Sequence, residues 1–185
     1  MRASWKACRG LMWMGALCAS CEALALSLSP WLIPASFPQP GELYLNGGFL
    51  FSATGRPSGP AMGLGAELSL HAFFEAVPIA GVGVFGQWQS INGEHHRVCA
   101  GVQATTLVLG AELGVAHDFA GAQGVATTSV HLQPFFSMGF LTAGLRIGIP
   151  VATGPGDRPG YGSDVGFVLS LKLPVPLKKN LDGEG

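Results

Sequence analysis

The stretch GLGAELSLHAFFE, residues 63–75, decides how the chain is read. Counting from Met62, one set of alternate positions is Met62, Leu64, Ala66, Leu68, Leu70, Ala72 and Phe74. Between them fall Gly63, Gly65, Glu67, Ser69 and His71. A period of two is that of a β-strand, whose successive side chains point to opposite faces. One face of this strand is therefore wholly apolar. The other mixes glycine with groups that carry charge or hydrogen bonds.

The rest of the chain sets the context for that strand. Its 185 residues suit one domain with a real core. Only 11% are charged, against about 25% in an average chain. The mean hydropathy of +0.39 is high for a soluble protein. The 28 glycines argue against long helices, and apolar residues do not recur at helical spacing. A net charge of -1 offers no basic field, so nucleic acid is excluded as a partner. No solenoid repeat, P-loop or dinucleotide fingerprint is present, and no cofactor is implied.

The N-terminus carries the marks of an export signal. Arg2, Lys6 and Arg9 form a positive region, residues 11–21 a short apolar core, and Ala23 and Ala25 the small residues before a cleavage site. The apolar core is too short to span a bilayer as a helix. Cleavage after Ala25 would make residues 1–25 a signal peptide and leave Cys99 as the one cysteine, with no disulfide in the mature chain. A lone thiol of this kind is usually a small buried residue. Residues 26–41 hold four prolines and read as an irregular periplasmic leader. Residues 42–174 alternate, and 175–185 form a polar tail.

About eight strands follow from the alternation. Their large apolar residues define one face, including Leu45, Phe49, Val84, Val102, Leu113, Leu132, Leu145 and Leu169. Every charged residue within a strand then falls on the other: Glu42, Glu67, Arg97, Glu112, Arg146, Asp164 and Lys172. A soluble barrel would need its polar face outside and well charged. Here that face is mostly Gly, Ser, Ala, Thr and Gln, which suits a narrow lumen, while an uninterrupted apolar face suits lipid. The competing reading is a soluble sandwich or a lipocalin-like ligand-binding barrel.

The links between strands add a second pattern. Long stretches at 53–60, 90–96, 117–127 and 152–163, the first of them Gly/Pro-rich, are expected to alternate with tight links near 76–78, 105–106 and 138–139. Short periplasmic turns and longer external loops mark outer-membrane barrels. Trp88, Phe51 and Phe167 are expected at the outer rim and Phe74 at the periplasmic rim. Pro134, within a strand, predicts a bulge.

In its signal-like start and its alternating strands over residues 42–174, the chain resembles the small eight-stranded outer-membrane barrels of the OmpA/OmpX-like group. The resemblance is one of architecture. It implies an all-β, antiparallel up-and-down transmembrane barrel in a Gram-negative-type outer membrane. It also implies contact with outer-membrane lipid and insertion by the barrel assembly machinery.

The polar face supplies the candidate site. Glu67, His71, Arg97, Gln103, Glu112, His131 and Arg146 are expected to form a polar, ion-paired cluster in the lumen. Within it, Arg146 is expected to bridge Glu67 and Glu112, because an isolated buried charge is costly. Glu42 and Lys172 are expected to pair where the first and last strands close the barrel. An eight-stranded barrel is just wide enough for side chains to fill, so a plugged lumen with a structural or surface-interaction role through the external loops is the leading reading.

The alternative is a lipid-modifying enzyme, because Glu67, Ser69 and His71 share a face, as do Ser129 and His131. Strand neighbours two apart lie roughly 6.5 Å from one another at Cα, too far for ready nucleophile–base contact. The chain is therefore read as a non-enzyme. Glu94, His95 and His96 are read as part of a solvated loop rather than a metal site, since no fourth ligand accompanies them.

Overall fold

The computed structural model describes residues 43–74, 80–106 and 108–178. The proposed signal peptide, the proline-rich leader, Glu42 and the end of the tail lie outside the described residues. Eight antiparallel strands form a closed barrel in sequence order: β1 (Leu43–Arg56), β2 (Gly59–Phe73), β3 (Gly81–Ile91), β4 (His95–Thr105), β5 (Leu109–Asp118), β6 (Thr127–Met138), β7 (Leu141–Thr153) and β8 (Asp164–Lys178). β8 pairs with β1 to close the sheet, so neither strand is left as an open edge.

The pairing fixes how far the strands tilt. A path perpendicular to them runs Pro174, Asn46, Ser69, Phe85, Gly101, Gly114, His131, Gly148, Asp164. It returns to β8 ten residues from its start, at Asp164 rather than Pro174. For eight strands about 4.8 Å apart that stagger gives a tilt of about 40° and a backbone radius of about 8 Å.

The inward positions of this path also show how so narrow a lumen is packed. The Phe85 ring meets the His131 ring with centroids 5.8 Å apart, although β4 and β5 run between their strands. The intervening inward positions are Gly101 and Gly114, which leave the space the two rings occupy. Phe85 also packs with Cys99 and Ala116, and Cys99 is the buried small residue the sequence suggests.

Proline sets the irregularities, but not where expected. Pro134 produces no bulge. Leu132 pairs with Ile147 and Phe135 with Gly144, so both strands advance three residues across the proline and the register holds. The bulges lie instead beside Pro150 and Pro176, where Val151 and Leu177 are the extra residues. A proline without an N–H is tolerated where the ladder is already broken.

The expected alternation of long and short links also needs correction. β1 and β2 continue to Arg56 and Gly59, leaving only Pro57 and Ser58 between them. β3 and β4 are joined through Asn92 (φ 52°) and Gly93 (φ 70°), and Glu94 donates its N–H to Ile91 O at 2.9 Å. This is the Asn-Gly turn whose twist matches that of a hairpin. Only the connections 119–126 and 154–163 are long at that end, while 74–80 at the opposite end is longer than expected. Strand ends and loops share a Gly/Pro-rich composition, so composition does not separate them. β8 likewise runs past residue 174 to Lys178.

Candidate functional site

The two faces separate as the alternation requires. Every strand exposes at least two large apolar residues on the outside, among them Phe49, Leu64, Val84, Val102, Val115, Leu132, Ile149 and Phe167. Phe51, Phe74, Trp88 and Phe167 all lie on this outer face. The charged side chains within the strands are buried instead: Glu67, Arg97, Glu112, Arg146 and Asp164 are each at most 4% exposed. A shallow groove on the outside, bordered by Phe49, Leu68 and Trp88, lies where Gly47 and Gly86 carry no side chains. The polar chemistry is in the lumen, arranged in three layers.

The layer nearest the start of β1 and the end of β8 centres on His71. Its Nδ1 lies 3.2 Å from Asn46 Nδ2 and 3.1 Å from Gln103 Nε2. Both amides present N–H groups, so Nδ1 acts as acceptor and the ring proton sits on Nε2. Asn46 also reaches Ser69 Oγ at 3.4 Å. His71 and Gln103 are thus brought together as part of the lumen set, apart from the carboxylates.

The middle layer holds both glutamates. Gln87 Nε2 donates to Glu67 Oε2 at 3.3 Å and to Glu112 Oε2 at 3.1 Å. Lys172 Nζ forms an ion pair with Glu67 Oε1 and stands 3.8 Å from Glu112 Oε1. His131 Nε2 lies 3.4 Å from Glu112 Oε2. The bridge between the carboxylates is therefore Lys172, not Arg146. Arg146 donates to Gln89 Oε1 at 3.1 Å and to Gln87 Oε1 at 3.4 Å, and Ser52 Oγ donates to Gln89 Oε1 at 2.9 Å.

Gln87 is interposed, taking the guanidinium on its carbonyl side and both carboxylates on its amide side. The stagger explains why the expected bridge does not form. Lys172 lies opposite Gly48, Gly48 opposite Glu67, and Glu67 opposite Gln87, a neighbourhood that depth counted along each strand does not reveal. Lys172 is consequently committed to Glu67, and its expected partner Glu42 lies outside the described residues.

The third layer, beneath the long connections, joins Arg97 and Asp164, which the alternation places on the polar face, to Arg56, His95 and Asp118, which it was not extended to reach. Arg97 Nη1 donates to Asp164 Oδ2 at 2.5 Å. Arg56 Nη2 donates to Asp118 Oδ1 at 3.0 Å and lies 3.8 Å from Asp164. His95 Nε2 is 3.2 Å from Asp118 Oδ1 and 3.3 Å from Arg56 Nη1. Gly148 permits this arrangement, because Asp164 Oδ1 fills the space a side chain there would need. Composition places Arg56, His95 and Asp118 in loops. Carrying the alternation on from Ser52 through Thr54, back from Arg97, and on from Glu112 finds all three.

Tyr161 closes this layer from above. It lies in the connection 154–163, is 2% exposed, stacks on the His95 ring at 4.2 Å and lies 5.3 Å from the Arg56 guanidinium. Its N–H donates to Thr127 Oγ1 at 3.0 Å. Gly162, at φ +73°, supplies the left-handed turn that follows it. Burial pushes the pKa of its phenol up, so the hydroxyl stays neutral at physiological pH. The two long connections are also tied to each other. Val125 N–H donates to Pro159 O at 3.2 Å, and Arg158 Nη1 to Gly121 O and Ala122 O at 2.6 and 2.9 Å.

Glu94, His95 and His96 do not form a loop cluster. His95 and His96 are successive residues of β4, so one points into the lumen and the other outward. Among the described residues no group of three or more His, Cys, Asp or Glu could hold a metal ion. No serine hydroxyl hydrogen-bonds a histidine among them either, and His71 and His131 face amides and a carboxylate. The described lumen balances four cations, Arg56, Arg97, Arg146 and Lys172, against four carboxylates, Glu67, Glu112, Asp118 and Asp164. It therefore presents no strong field of either sign.

No family model, curated protein or solved structure matches the chain.

Proposed function

We propose that this protein spans the outer membrane of a Gram-negative-type envelope as a plugged barrel, and that its role is structural or one of surface interaction through the end that carries the long connections. One observation carries the reading: each of the eight strands exposes large apolar residues, while Glu67, Arg97, Glu112, Asp118, Arg146 and Asp164 are buried. Soluble monomers rarely expose apolar patches beyond a few hundred Å². In lipid the same belt is the favourable surface. From Pro60 to Ala72 the outward residues of β2 cover about 30 Å of barrel height at the tilt derived above, enough for the roughly 25 Å apolar band of such barrels. The export signal would bring the chain to the periplasm, and the barrel assembly machinery would insert it.

The filled lumen favours a plug over a pore. Arg146, Gln87 and Gln89 cross its middle, and Tyr161 covers one mouth. Membrane fractionation of the tagged protein tests the location, and heat-dependent mobility on a detergent gel tests the barrel. Recovery in the soluble fraction would overturn the proposal. Planar-bilayer recordings test the plug, with no stable porin-sized conductance expected.

A further inference from the structure

His96 and His117 are the only titratable side chains on the outward face of β1 to β7 among the described residues. They are not scattered. Phe119 donates its N–H to His96 O at 2.9 Å, and His117 pairs with Val98, so the two histidines are diagonal neighbours across β4 and β5. Their Cα atoms are then roughly 7–8 Å apart. Aromatic rings hold both in place. His96 stacks on Trp88 at 5.3 Å and 27°, and His117 meets Phe119 edge-on at 4.9 Å. Thr128 Oγ1 lies 3.0 Å from His117 Nδ1, which leaves Nε2 free.

The row Trp88, His96, Phe119, His117, Thr128 spans four adjacent strands at the end carrying the long connections. In the membrane reading this is headgroup depth. A polar side chain there costs little, whereas the same group at mid-depth is strongly disfavoured.

We infer that His96 and His117 form a binding site for the phosphate of an anionic lipid headgroup in the leaflet around the long connections. The inference rests on the membrane reading. Two imidazoles at this spacing can each donate one hydrogen bond to a single phosphate group, and the flanking rings lie against the lipid below it. The neighbouring charges are few. Glu94 lies in the turn that leads into β4. Arg158 lies on the connection 154–163 and is bound to Gly121 and Ala122, with Asp157 beside it in sequence. No other charged side chain faces outward from β3, β4, β5 or β6 among the described residues.

The test uses Trp88 as the reporter, in a full-length chain whose Trp5, Trp13 and Trp31 are replaced by Phe. The protein is placed in phosphatidylcholine vesicles containing a minor share of brominated phosphatidic acid or, for comparison, brominated phosphatidylcholine. Quenching of Trp88 relative to unbrominated vesicles measures which lipid sits beside it. Phosphatidic acid is expected to be enriched around Trp88 by roughly fivefold over phosphatidylcholine.

The double variant H96Q/H117Q keeps polar side chains but removes both imidazoles, and its enrichment is expected to be absent. Equal quenching by the two lipids in the parent chain, or enrichment unchanged in the variant, overturns the site while leaving the membrane reading intact. Loss of enrichment on adding inorganic phosphate at comparable concentration would show a free-phosphate site and also overturns the lipid assignment. Absence of quenching by either lipid overturns the membrane reading, and the site with it.

Discussion

Replacing Lys172 by Met is the sharpest test of the lumen. The Lys172 ammonium is the only cation in direct contact with Glu67 among the described residues, and the Glu67 side chain is 1% exposed. The same ammonium lies 3.8 Å from Glu112. Without it, two buried carboxylates share one amide, Gln87 Nε2, at 3.3 and 3.1 Å. Breaking a buried pair by removing one partner costs about 3–5 kcal/mol, and the 12% exposure of the Lys172 side chain places this case at the lower end, about 3 kcal/mol. That is more than a hundredfold in the unfolding equilibrium.

Urea titration in detergent, followed by the gel-mobility difference between folded and unfolded barrel, measures the loss. The double variant E67Q/K172M removes both charges, and most of the stability should return, giving a coupling of about 2 kcal/mol between the sites. R146M provides the comparison, because Arg146 reaches Glu67 only through Gln87. Its coupling to E67Q should be small, within about 0.5 kcal/mol. A loss below about 1 kcal/mol in K172M would refute the assignment of the bridge. So would stronger coupling of E67Q to R146M than to K172M.

Other parts of the barrel give three more expected outcomes. Leu68→Arg, placed mid-way along the outward face of β2, should cost about 2–4 kcal/mol in a bilayer, and no cost would mean that this face does not meet lipid. Tyr161→Ala should lower stability by about 3 kcal/mol and raise small-ion conductance in planar bilayers. Unchanged conductance would place the seal deeper, at Arg146. Gly148→Ala should displace the Asp164 carboxylate from Arg97 at a cost of about 2 kcal/mol. The same substitution in a D164N background should cost clearly less, and an equal cost in both would show that the carboxylate is not what fills the space.

The sequence is most legible where alternation is strict. In β2 the period of two alone assigns Glu67, Ser69 and His71 to the buried face and Met62, Leu64 and Leu68 to the exposed one, and the structure agrees at each. It becomes illegible where composition competes with period. Arg56 is flanked by Gly55 and Pro57, so it reads as loop although its strand continues to it. Partners across the lumen are harder still. A stagger of ten residues round the barrel moves Lys172 beside Glu67, and stagger is a property of closure that no single strand encodes. Proline positions are visible, but bulges depend on which neighbour can slip a residue, and that proves to be β7 at Val151 and β8 at Leu177.

The charge balance of the lumen bears on where function resides. Four cations facing four carboxylates leave no net field to select or concentrate an ion. Most of these groups are pinned by more than one contact: Arg56 touches Asp118, Asp164, His95 and Tyr161, and Gln87 touches Arg146 and both glutamates. A network so cross-linked fixes the wall rather than moving through it. The features not consumed in this way lie at one end of the barrel: the connections 119–126 and 154–163, tied together through Val125 and Arg158, and the outward row around His96 and His117. On the proposed membrane reading, the barrel would hold this ordered, asymmetric rim at the membrane surface, where we propose that interaction takes place.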